Sequence, residues 1–170
     1  NASRVFVISP ASVTATLSAV TISHGFINNG SPGSGIFNNG TLTLSRSTIS
    51  NNSNGQGNGG GICNVTGGTI TIIDCTFSGN SASSFGGGIE NAGSLNLINS
   101  TLSGNTGVNG GGGVNTGLGN VNLVNSTLSG NSGINGGGIN IVSGTVNSRN
   151  TLIAGNTSNL APDVRGTINS

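Results

Sequence analysis

The chain has 170 residues, 33 of them Gly, with a charged fraction of 4% and a net charge of +1. It fits one domain. With 3 Pro and no Gly-X-Y register it is not collagen, and it lacks the high net charge of disordered chains. No Lys and no basic patch means no electrostatic footprint for nucleic acid or an anionic membrane. No run of 18 apolar residues is present to span a bilayer.

Taken in chain order, residues 1–20 read as an incomplete first coil, with "RVFVIS" and "SVTATLS" as its strands. From there one phrase returns. "VTIS", "STIS", "CTFS", "STLS", "STLS" and "NTLI" start repeats near 21, 48, 76, 101, 127 and 151, anchored on Thr21, Thr48, Thr76, Thr101, Thr127 and Thr151. The spacings of 27, 28, 25, 26 and 24 residues fall in the solenoid range. The residue after each Thr is apolar: Ile22, Ile49, Phe77, Leu102, Leu128 and Leu152. Asn then recurs at Asn52, Asn80, Asn105, Asn131 and, after one extra residue, Asn156. A second column is Gly followed by Ile36, Ile62, Ile89, Val114 or Ile139. A third is the alternating pair Leu42/Leu44, Ile70/Ile72, Leu95/Leu97 and Val121/Leu123, which decays to Thr145/Asn147.

Each repeat therefore predicts three short strands, "GGGIxN", "xLxLxN" and "TLSGN", joined by bends of Gly, Asn and Ser. Strands this short must lie on their copies in the next coil, about 4.8 Å away, in a parallel sheet. The apolar columns become stacks inside a parallel β-helix. The Asn column becomes an internal ladder of amides. Charge is scarce because a charge in a stacked column faces its own copy. Arg46, Asp74, Asn99, Asn125 and Arg149 stand two residues before the anchors, so Arg46 and Asp74 are expected to pair across one rung.

The acids Asp74, Glu90 and Asp163 lie in different coils or on different strands. They offer neither the carboxylate pair of a glycosidase nor a Ca²⁺ cluster. His24 at a bend has no partner at metal spacing, and Asp163 with Arg165 reads as a turn cap. No catalytic residue, cofactor or metal site is expected, and the chain is not read as an enzyme. The glycine runs are not followed by a helix or by GK[ST], which excludes a P-loop. Cys63 and Cys75 share a coil but face different ways, so their disulfide is left open. Outward Thr41/Thr43 and Thr69/Thr71, giving way to Ser94/Asn96 and Asn120/Asn122, suggest an ice-binding array on two rungs. Ile73, Ile98 and Val124 form either an exposed contact stripe or a column turned inward by a bend.

"TFSGN" followed by "GGGI" resembles the paired F-x-x-N and G-G-A-I repeats of polymorphic outer membrane proteins and autotransporter passengers. "SRVFVISPASVTATLSAVTISHG" and "NTLIAGNTSNLAPDVRGTINS" resemble the right-handed parallel β-helix repeat proteins of the bacterial secreted and surface type. The resemblance implies an extracellular or cell-surface setting and roles such as adhesin, surface layer or, occasionally, carbohydrate-active enzyme. The expected fold is all-β, a right-handed parallel β-helix (β-solenoid) of about six coils of 24–28 residues with three short strands per coil, one domain over 1–170. No cap is recognised at either open edge, and the chain reads as a processed unit or fragment of a longer protein. The functional expectation is the subunit of an extracellular filament built by end-to-end self-association. Alternatives are an adhesin stalk or passenger domain with a host-surface or glycan ligand, a carbohydrate-binding or carbohydrate-cleaving β-helix, and an ice-binding protein.

Overall fold

Three residues of strand bury nothing by themselves, and the chain answers by laying every strand on its counterpart one coil away. The computed structural model describes residues 3–170 and contains strands, turns and bends but no helix. All pairings between its named strands are parallel. The result is a β-solenoid of about six coils.

The first sheet stacks seven strands, from Phe6–Ile8 through Ile62–Asn64 and Ile89–Asn91 to Val164–Arg165. The second stacks seven, from Thr14–Ser18 through Thr69–Ile73 to Ile168–Asn169. The third stacks six, from Thr21–Ser23 to Leu152–Ala154. A fourth sheet of five two-residue strands runs from Phe26–Ile27 to Ser132–Gly133. It occupies a stretch that the sequence presents only as the variable link between "SGN" and "GGG". Each coil thus adds a short fourth pairing to the three expected.

The core is the interior of these sheets. Ile22, Ile49, Phe77, Leu102 and Leu128 are fully buried and stack in register, as do Ile36, Ile62, Ile89, Val114 and Ile139. The pairs Leu42/Leu44 to Val121/Leu123 complete it from the second sheet. Burying such side chains contributes roughly 1.5–3 kcal/mol each.

The last coil departs from the sequence reading. Leu152 pairs with Thr127, not Leu128, and is 58% exposed. Ile153 pairs with Leu128 and packs against the core in its place. The cause is a one-residue shift. Thr151 occupies the bend position of Ser47, Cys75, Ser100 and Ser126, where the hydroxyl bonds the carbonyl two residues back: Ser100 Oγ to Ile98, Ser126 Oγ to Val124, Thr151 Oγ1 to Arg149. The left-handed bend before it belongs to Asn150, not Arg149. A one-residue slip turns every side chain to the opposite face, so Leu152 goes out and Ile153 in. Counted from Ile153, Asn156 needs no extra residue.

Candidate functional site

The amides come first. Along the inner ladder each Nδ2 donates to the Oδ1 of the next coil: Asn52 to Asn80 at 2.9 Å, Asn80 to Asn105 at 2.9 Å, Asn105 to Asn131 at 2.8 Å and Asn131 to Asn156 at 2.9 Å. Each Oδ1 also accepts the backbone N–H of the Asn one coil back, and each Nδ2 also reaches a carbonyl such as Ile49 or Phe77. A buried amide left unpartnered would cost about 1–3 kcal/mol, and here both atoms are engaged.

The glycine before each β-branched residue makes room for this ladder. A Cβ at Gly113 would lie 2.6 Å from Gly138 O and 3.3 Å from Asn131 Cγ. One coil after Gly138, in register, stands Asp163. Its side chain enters the place of a further amide, and Oδ1 accepts both Asn156 N–H at 3.1 Å and Asn156 Nδ2 at 2.9 Å. A carboxylate accepts only, so no donor is left unmet beyond it. At the other end Gly25 N–H donates to Asn52 Oδ1 at 2.9 Å. The inner ladder is closed at both ends. A second buried ladder, Asn38 to Asn64 to Asn91, joins amides at 2.8 Å and 2.8 Å along the first sheet. These are the final Asn residues of "GGGIxN", a repeat visible in the sequence but not recognised as a ladder.

The chemistry-bearing side chains gather elsewhere, in the outward column at the middle of each first-sheet strand. It runs Val7, Phe37, Cys63, Glu90, Asn115, Asn140, Arg165. These positions face away from the core, yet Cys63, Glu90, Asn115 and Asn140 are buried. Glycine-rich loops cross over them so closely that a Cβ at Gly59 would lie 2.8 Å from Cys63 Cβ and one at Gly110 2.8 Å from Asn115 Oδ1. Near one end Arg4 sits 5.0 Å over the Phe37 ring and donates to the carbonyls of Gly33 and Pro32. At the other end is Arg165. Of four arginines and three acids, Arg4, Glu90 and Arg165 share this one column.

Here the amide polarity reverses. Asn140 Nδ2 donates to Asn115 Oδ1 at 2.6 Å, and Asn115 Nδ2 donates to Glu90 Oε2 at 2.9 Å. Burial pushes the Glu90 carboxyl up to about 7, against the opposing pull of the Asn115 bond. Burial, then the neighbouring Glu90, pushes the Cys63 thiol up to about 12, with Arg4 acting the other way. The thiol is therefore protonated and a poor nucleophile at neutral pH.

The remaining sequence candidates fall apart in space. Cys63 and Cys75 are both free, Cys63 in the first sheet and Cys75 at the bend into the third, where its Sγ replaces the serine hydroxyl and bonds Ile73 O at 3.1 Å. Arg46 does not pair with Asp74; its Nη2 donates to Ser18 Oγ at 3.0 Å in the preceding coil. Asp163 ends the ladder and does not pair with Arg165. His24 is exposed, at a bend with φ 60°. Ile73, Ile98 and Val124 stack as a half-buried column between Ser45 and Arg149. Exposed apolar side chains lie elsewhere, among them Phe85, Val108, Ile134 and Leu160 in the loops after the fourth sheet, and Leu118 and Val142. The Thr array has a third rung, Thr14/Thr16, paired with Thr41/Thr43. Among the described residues no three His, Cys, Asp or Glu side chains cluster as a metal site would require. No family model matches the chain, and no curated protein or solved structure shows significant similarity to it.

Proposed function

We propose that the chain is a rigid structural segment, a stalk or passenger unit of an extracellular surface protein. The observation that carries it is the inner ladder, unbroken from Asn52 to Asp163 and satisfied at every rung. Side chains spent on stacking are not free for a substrate, and the stack resists bending because each coil is bonded to the next by backbone, amide and apolar column together. The cell-surface setting rests on the likeness of the repeat words to secreted β-helix proteins. Tandem copies joined end to end test it by small-angle scattering. Their length should grow by about 4.8 Å per coil with a constant cross-section. Copies that scatter as a flexible string of beads would remove the proposal.

End-to-end assembly into a filament is the second reading. It is favoured by the first three sheets, whose outermost strands have a strand partner on one side only among the described residues. Two local devices oppose it. Ser3 pairs antiparallel with Phe26 across the edge of the fourth sheet, and Asp163 occupies the next ladder position. Electron microscopy of the purified chain separates the two: filaments support this reading, and single short particles support the stalk.

A further inference from the structure

The outer column is closed at one end and open at the other. Glu90 receives its last N–H, but at the far end Asn140, 1% exposed, presents an Oδ1 that accepts no hydrogen bond within the protein. Buried amide oxygens are normally partnered. The side chain in register one coil on is Arg165, which carries five N–H donors and lies exposed.

We propose that Arg165 is a latch: its guanidinium folds back over Asn140, donates to Asn140 Oδ1 and closes a relay Arg165–Asn140–Asn115–Glu90 that holds the last first-sheet strand to the coil beneath it. Three further observations bear on this. The amide dipoles already point the right way, with carbonyl oxygens toward the cation and N–H groups toward the carboxylate. Asn140 and Arg165 share a face of the same parallel pair, one coil apart, so the latch needs no change of register. Near the opposite end of the column another arginine is already folded onto the solenoid, Arg4 lying over Phe37 and donating to two loop carbonyls. What the latch holds is thinly covered, since Val164–Arg165 and Ile168–Asn169 are two-residue strands that are only half-buried or exposed. Closed, it docks them; open, they fray.

Hydrogen exchange by nuclear magnetic resonance tests this in the whole chain. The Arg165 Nε proton should exchange more slowly than in a free arginine. Arg165→Ala should speed amide exchange at Ile139, whose N–H is bonded to Asp163 O across this strand pair, about tenfold, the size expected for loss of one hydrogen bond to a charged group. The acceleration should vanish when Asn140→Leu is already present, because the acceptor is gone. An Arg165→Ala effect of equal size in both backgrounds, or none in either, overturns the latch. If Asn140→Leu does not fold, the Nε proton decides alone, and solvent-rate exchange in the native protein is the overturning result.

Discussion

Two of the amide columns, the inner ladder and the outer column, run along the same solenoid in opposite directions. In the inner one the donors point toward higher residue numbers and end on Asp163. In the outer one they point toward lower numbers and end on Glu90. Both place a carboxylate where the donors run out, which is the only end at which an acceptor-only group leaves nothing unmet. They differ in everything else. The inner amides also bond backbone on either side and both termini are satisfied. The outer column rests on two side-chain bonds and one long backbone bond, from Gly111 N–H to Asn115 Oδ1 at 3.4 Å, ends its donors on a titrating group and has one unpartnered oxygen. The inner ladder is thus a structural member, and the outer column is the part of the molecule whose state conditions can change.

The largest test of that contrast is Asn105→Ala. It strands the N–H and Nδ2 donors of Asn80 and removes the donor to Asn131 Oδ1. Chemical denaturation should register a loss of about 3 kcal/mol or more. A loss under 1 kcal/mol would mean the ladder is decoration.

Next is pH. Glu90 sits at about 7 in the fold against an ordinary 4.5. Cys63, one coil away, stays protonated across that window, and Asn115 is neutral. A raised folded value means the native state holds the proton more tightly than the unfolded chain. Its stabilising contribution is fully present below pH 4.5 and is lost as pH rises through 7. The decline should amount to about 3 kcal/mol. Glu90→Gln should flatten it and exceed the parent in stability at pH 8. Denaturation midpoints from pH 4 to pH 8 decide, and an unchanged slope in the variant would clear Glu90 of the effect.

Asp163→Ala should cost less than Asn105→Ala, about 1–2 kcal/mol, because it strands donors of one residue only, near the exposed end. Equal costs would show that the terminal acid holds the whole stack in place. Smallest is the register test in the last coil. Ile153→Ala should lower stability by about 1 kcal/mol, whereas Leu152→Ala should stay within about 0.5 kcal/mol. The reverse order in thermal melts would restore Leu152 to the core.

What the sequence discloses follows the same division. Columns of like residues are legible because stacking makes them repeat: Ile22 to Leu128, Ile36 to Ile139 and Asn52 to Asn156 can be read from the period alone. Reading failed at Leu152 because "NTLI" imitates the anchor phrase while standing one place early. The extra residue counted before Asn156 was the available clue. The outer column gave no such signal, since beyond the pair Asn115 and Asn140 its members Phe37, Cys63, Glu90 and Arg165 share no chemistry to announce a column. Its burial depends on glycine loops crossing a face that alternation assigns to solvent, which is a matter of tertiary course and not of local pattern. The fourth sheet escaped for a related reason: three of its five strands are pairs of Ser, Asn, Thr or Gly, which carry no apolar alternation.

The close fit of glycine against asparagine has an evolutionary corollary. Because the space beside each ladder amide is vacated by a glycine earlier in the chain, as Gly113 does for Asn131, neither can change alone, and the unit of heritable change is the complete turn. Such a molecule gains or loses length by copying or deleting entire turns, each arriving with its own matched set. Its relatives should therefore differ in reach by whole increments, while point insertions collect in the loops at the rim.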